Sequence, residues 1–157
     1  NQNGGMQIPM WDKVKETVLY LKSKGYRVDG IGWQGHLMNN QGLKQFVENL
    51  DQELKKLSDL IDWAHSNKLE FHVTELDYYN DGENNIFNSV EKQADVYQKL
   101  MSLLQEKSKN GLVTANFWSM GERKSARGLK GHYMSIYDND TIPTKTYEVV
   151  KKFINFN

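Results

Sequence analysis

Strand-like segments alternate with amphipathic helices along this chain, and that alternation limits what it can fold into more than any other feature. Residues 11–24, WDKVKETVLYLKSK, put Trp11, Val14, Val18 and Leu21 at helical spacing, and Gly25 supplies a stop. RVDGIGWQ (27–34) is short, glycine-punctuated and strand-like. Over 43–66, Leu43, Phe46, Val47, Leu50, Leu54, Leu57, Ile61 and Ala64 draw one apolar stripe along an otherwise charged helix. LEFHVT (69–74) is a second strand. Asn88 and Glu91 have capping-box spacing ahead of another amphipathic helix, with Val90, Ala94, Tyr97, Met101 and Leu104 on one face. LVTANFW (112–118) is a third strand, and 144–154 a last helix carrying Tyr147, Val150 and Phe153.

This order implies parallel strands joined by right-handed crossovers. No G-x-G-x-x-G or Walker-type loop follows any strand, which argues against a nucleotide-binding doubly wound sheet. The other common arrangement, the (β/α)8 TIM barrel, needs about 250 residues. With 157 residues and three strands, the expected fold class is α/β: the C-terminal part of a (β/α)8 barrel, about strands 6–8 with their helices, spanning 1–157 as one partial domain. The opening NQNGGMQIPM reads as a loop. A half-barrel leaves open sheet edges, so the chain is expected to bind its missing N-terminal half, to self-associate, or to be poorly ordered.

Catalytic groups in such barrels sit at the C-terminal ends of strands. Those ends read GWQGH (32–36), TELD (74–77) and NFW (116–118), each finishing on groups suited to binding or chemistry. Gly30, Gly32, Gln34 and His36 share one face of the first strand, and Thr114, Asn116 and Trp118 one face of the third. Glu75 fits less well. It shares parity with Phe71 and Val73, which should face the helices, so a bulge or bend is needed to turn it inward.

Several function classes are excluded or unsupported. The 20 basic and 20 acidic residues balance, leaving neither a nucleic-acid footprint nor a polybasic membrane arm. Absence of cysteine removes thiolate nucleophiles, disulfides and cysteine-ligated zinc. No two histidines lie at i, i+4 beside a carboxylate, so no metal and no cofactor is expected. No apolar stretch is long enough to cross a membrane, and the N-terminus carries no signal-peptide pattern.

VDGIGWQGHL and FHVTELD, followed by ANFW and IPTKTYEVVKKF, closely resemble the second half of glycoside hydrolase family 10, the retaining endo-β-1,4-xylanases, in the right order over nearly the whole chain. The resemblance implies xylan or xylo-oligosaccharides as substrate and a location outside the cytoplasm. It implies that Glu75 is the nucleophile, that His36 hydrogen-bonds this carboxylate, and that Asp77 orients the histidine. Gln34 and Trp118 match residues lining the sugar site beside the scissile bond. A nucleophilic carboxylate must be ionised and held still, and a histidine positioned by an aspartate serves both ends.

The sequence also departs from the family. Retaining hydrolysis needs two carboxyl groups about 5–5.5 Å apart, and the family's acid/base glutamate follows an asparagine at the end of strand four. No Asn-Glu strand end precedes IGWQGH here; Asn1-Gln2, one helix upstream of the strand at 27–34, better matches the end of strand five. Alone, the chain is therefore expected not to hydrolyse xylan. Where the family usually has W-G-x-T-D-x-x-S-W, residues 118–126 read WSMGERKSA: Glu122 stands for the aspartate as a sugar-binding candidate, and Ala126 for a tryptophan that closes over the sugar. Two rivals stay open, another retaining β-glycosidase of the same architecture and a non-catalytic carbohydrate-binding or assembly fragment.

Other residues take plainer readings. His65, His72 and His132 are structural, Trp11, Trp63 and Phe46 are packing residues, and Trp33 is core or rim. Tyr78, Tyr79 and Asn80 enter a loop where they can contact sugars, Tyr78 foremost. The charges of KQADVYQK (92–99) mark an exposed helix face.

Overall fold

The first helix, α1 (Ile8–Ser23), places Pro9 in its opening turn, where a missing amide proton costs nothing, and buries Trp11 and Val18. It closes at Gly25 (φ +80°): Gly25 N–H donates to Lys22 O (3.0 Å) and Tyr26 N–H to Leu21 O (3.1 Å), the pairing of a Schellman stop. The computed structural model describes residues 7–37, 40–80, 89–121, 123–124, 132–134, 136–138 and 140–154.

Then follow β1 (Gly30–Trp33), β2 (His36–Leu37), α2 (Asn40–Glu48), α3 (Leu50–Ser66), β3 (Glu70–Asn80), α4 (Val90–Lys107), β4 (Val113–Phe117), β5 (Arg123–Lys124), β6 (His132–Met134) and α5 (Lys145–Lys151). The strand–helix alternation is as the sequence predicts. The stripe expected as one helix over 43–66 is divided at Asn49, whose side-chain amide donates to Gln45 O (3.0 Å). α4 is capped by Ser89, whose Oγ accepts from Lys92 N–H (3.1 Å). Asn88 lies outside the described residues, as do Asn1, Gln2, Glu122 and Ala126.

β3 is the central strand. It runs parallel to β1 (Gly30↔Glu70 to Trp33↔Val73) and to β4 (Phe71↔Val113 to Val73↔Ala115), giving the parallel sheet of a partial barrel. Its far end pairs in parallel with β2 (His36↔Asp77) and antiparallel with β6, which forms a hairpin with β5. The segment between the third predicted strand and the last helix therefore contains a small hairpin. β1 and β4 each pair only with β3 among the described residues.

Helices cover one face of this sheet. Phe71, Val73 and Leu76 join Leu57, Ile61 and Ala64 of α3 and Leu100 and Leu104 of α4 in one buried apolar cluster. Each such side chain contributes about 1.5–3 kcal/mol through removal from water. Phe46 and Trp11 belong to it as predicted, and Trp33 proves to be core. His65 packs its ring against Gly111, where a Cβ would come within 2.6 Å of it. The opposite face carries Gly30, Gly32, His72, Thr74 and Thr114. His72 bridges Thr114 Oγ1 (2.8 Å) and Glu70 Oε2 (3.2 Å), a structural role.

The register of β3 positions the candidate site. Between Val73↔Ala115 and Leu76↔Phe117, β3 advances three residues while β4 advances two. Between Val73↔Trp33 and Asp77↔His36, β3 advances four against three. One extra residue therefore sits in β3 relative to both neighbours, at 74–75. A bulge of this kind reverses the side-chain alternation that follows it. Phe71 and Val73 face the helices before it, Leu76 and Tyr78 after it, and Glu75 joins the face of His72 and Thr74.

Candidate active site

The bulge and a matching bend upstream bring three polar side chains together. Gln34 O accepts the Glu75 N–H (3.0 Å), tying the strand ends at the irregularity. Gly35 (φ +72°) then turns the chain; a Cβ there would meet Val73 Cγ1 at 3.0 Å, so the site needs glycine for both conformation and space. This turn sets β2 against the end of β3, opposite Asp77.

His36 lies between the two carboxylates. Its Nδ1 is 2.8 Å from Asp77 Oδ1 and its Nε2 is 3.1 Å from Glu75 Oε2. Exposure differs along the row: the Asp77 side chain is 3% exposed, His36 13% and Glu75 25%. Glu75 is thus the member a ligand can reach, and Asp77 the member sealed beneath. An ionised carboxylate only accepts hydrogen bonds, so an imidazole that satisfies both must donate from both nitrogens and carry a proton. The hydrogen bond to Asp77 accordingly raises the affinity of His36 for its proton; burial opposes this, and the charge of Asp77 and the contact with Glu75 add to it.

An NMR titration of the His36 ring should therefore give a midpoint above the ordinary imidazole value of about 6.5. Asp77→Asn should lower it further than Glu75→Gln does, because Asp77 makes the shorter and more buried contact. Equal and negligible shifts would contradict this reading of the row.

Trp118 stands over the histidine. Its backbone N–H donates to Leu76 O (3.0 Å), and its ring meets that of His36 edge-on at 5.9 Å and 88°. Half of it, 51%, remains exposed, so a flat apolar surface borders the His36 ring. Such a surface suits the C–H face of a sugar ring.

Of the residues singled out from sequence, the structure brings Glu75, His36, Asp77 and Trp118 together, and Gln34 through its backbone. Tyr78 is a correction. It belongs to β3 rather than a loop, is fully buried, and packs edge-on against Tyr97 at 6.4 Å. The bulge that turns Glu75 inward turns Tyr78 toward the helices, and burial pushes its phenol above the usual range. It cannot touch a ligand in the cleft. Tyr79 and Asn80 also lie in β3.

The charged residues of KQADVYQK do line the outer face, with Asp95 and Lys99 exposed, while the residues between them turn inward. Gln93, Ala94, Val96 and Tyr97 are buried, and Gln93 accepts the Thr146 hydroxyl from α5 at 2.9 Å. The signal was in the spacing, since Gln93 lies one turn before Tyr97 on the apolar stripe. Among the described residues no group of three or more His, Asp or Glu side chains is placed to hold a metal ion, and no helix is long and apolar enough to cross a membrane.

The family model described as Glycosyl hydrolase family 10 matches residues 6–153. Endo-1,4-beta-xylanase A of Thermoanaerobacterium saccharolyticum is 33% identical over 121 residues, 76% of this chain and 9% of that protein. Beta-1,4-xylanase of Dictyoglomus thermophilum is 28% identical over 157 residues, 90% of this chain and 41% of that protein. A solved structure, Thermobacillus composti GH10 xylanase, superposes with a TM-score of 0.67 at 24% identity, covering 91% of this chain and 48% of that one. The chain spans less than half the length of each of these relatives.

Proposed function

The chain belongs to glycosyl hydrolase family 10, and from that membership we propose that residues 1–157 are the nucleophile-bearing part of the catalytic domain of a retaining endo-β-1,4-xylanase. The observation that carries the proposal is the row Glu75–His36–Asp77, with contacts of 3.1 and 2.8 Å at the C-terminal end of the central strand. Glu75 attacks the anomeric carbon, forming a glycosyl-enzyme ester as the glycosidic C–O bond breaks. Water later displaces the carboxylate from the opposite face, the one the leaving group departed, so two inversions return the original configuration. His36 holds Glu75 at one oxygen, and Asp77 holds His36. Gln34, Trp118 and Glu122 bind the sugar beside the scissile bond.

The second carboxyl group, which protonates the leaving oxygen, comes from the part of the barrel these 157 residues do not span. The same part pairs with the free edges of β1 and β4. The exposure of Leu19 and Tyr20 on α1 and of Leu112 beside β4 supports this reading. Apart from that partner, the chain self-associates or stays inactive. The complete protein works outside the cytoplasm, on xylan or xylo-oligosaccharides.

The test is the anomeric configuration of the first product, followed by NMR in the chain extended through the rest of the barrel. Early accumulation of the β-anomer from a β-linked xylo-oligosaccharide is expected, with no turnover by the 157 residues alone. Early α-anomer would overturn the nucleophile role of Glu75. One relative bears the name Exoglucanase XynX, so β-1,4-glucan belongs beside xylan and mannan in the substrate panel.

A further inference from the structure

The residue before Glu75 carries the irregularity on which the candidate site depends. Thr74 and Glu75 occupy the one-residue slip of β3 against β1 and β4, and they share a face where regular alternation would separate them. A bulge disrupts the ladder at its extra residue, so contacts outside the ladder have to fix the chain there.

Two such contacts hold Thr74, one from each branch of its side chain. The hydroxyl donates to Trp33 O at 3.3 Å. The methyl lies over Gly32, where an added Cβ would come within 3.1 Å of Thr74 Cγ2. The backbone then supplies the next contact, Glu75 N–H to Gln34 O at 3.0 Å. Gly32, Trp33 and Gln34 are consecutive. One strand end thus receives, in order, the Thr74 methyl, the Thr74 hydroxyl and the Glu75 amide. Two heavy atoms on Cβ already restrict χ1 of threonine, so engaging both branches fixes the backbone from which Glu75 departs. Gly32 has no positive φ that would demand glycine; what its missing side chain provides is room for the Thr74 methyl.

We propose that Thr74 is a positioning residue that clamps the bulge onto Gly32 and Trp33 and so aims the Glu75 carboxylate at His36 Nε2, 3.1 Å away. Thr74 acts through Glu75 and does not touch substrate. Its catalytic consequence rests on the reading of Glu75 as the nucleophile; the clamp itself does not.

The test is amide hydrogen exchange of Glu75 in this chain, which needs no turnover. Thr74→Val keeps the shape and removes the donor, and should quicken exchange of the Glu75 N–H about tenfold through local opening. Phe71 N–H, bonded to Leu112 O (3.0 Å) ahead of the bulge, should keep its rate. Thr74→Ser keeps the donor and should hold Glu75 exchange within about threefold of the native rate. Gly32→Ala presses on the methyl and should quicken Glu75 selectively, as Thr74→Val does. In the extended enzyme Thr74→Val should lower kcat about tenfold with KM unchanged, and Thr74→Ser should restore most of it, since an aligned nucleophile matters in the transition state.

Unchanged Glu75 exchange in folded Thr74→Val overturns the proposal, and so does a quickening that Phe71 shares equally. If that variant does not fold, the same two results in Gly32→Ala carry the same meaning. Failure of the catalytic reading is a separate result: turnover surviving Glu75→Gln removes that reading whatever these exchange rates do.

Discussion

In the chain extended through the rest of its barrel, Glu75→Gln is expected to cut turnover of an aryl β-xylobioside by roughly 10⁴-fold or more. An activated aryl leaving group needs little protonation, so this substrate isolates the attacking carboxylate from the general acid. Glutamine preserves the size and the contact with His36 Nε2 but cannot form the ester. The loss should fall on kcat, since the sugar still meets Trp118 and Gln34. A smaller replacement gives the complementary result. In Glu75→Gly, added azide should enter the vacated space, forming a C–N bond as the aryl C–O bond breaks. The product should be the α-glycosyl azide, a single inversion. A Glu75→Gln enzyme retaining a tenth of its activity would place the nucleophile elsewhere.

Why Glu75 was the difficult residue to place is a matter of local geometry. Alternation is a strict rule of period two, and by that rule Glu75 follows Phe71 and Val73 to the helix side. One extra residue in β3 reverses the rule from that point on. Sequence reveals that such a reversal is needed, because a carboxylate on the apolar face would be unfavourable, but not where it falls. Tyr78 escaped for a related reason: the strand predicted to end at residue 74 runs on to Asn80, so a tyrosine that reads as a loop residue beside the sugar stays in the sheet. There it is core against Tyr97. His36 and Asp77 were easier, since their spacing from Gln34 and Glu75 carries the family resemblance and the register His36↔Asp77 places them opposite one another.

The helices were legible for a different reason. Apolar stripes such as Leu57, Ile61 and Ala64 recur over several turns, so a single misplaced residue does not obscure them. What the stripes concealed was the polar member among them. Gln93 occupies a core position and reads as surface because glutamine is most often exposed. Only a partner on another element, Thr146, accounts for its burial, and a pairing across 53 residues leaves no trace in local pattern.

His36→Leu should destabilise the chain by about 3 kcal/mol at pH 5.5, because it removes the imidazolium from beside a carboxylate that stays buried. Asp77 is 3% exposed and cannot recover the lost contact from water. The direction with pH follows from linkage. Folding raises the proton affinity of His36, so its contribution is complete below the unfolded midpoint of about 6.5 and is lost as pH rises through the folded midpoint. The penalty measured by urea unfolding should accordingly be larger at pH 5.5 than at pH 9. Combining His36→Leu with Asp77→Leu should recover about 2 kcal/mol relative to the sum of the single changes, since the double variant buries no uncompensated charge. A penalty independent of pH, with simple additivity, would mean that His36 is held by packing alone. The expected outcome instead ties stability and chemistry to one set of atoms: the interaction that holds Asp77 in the interior is the one that fixes the imidazole against Glu75.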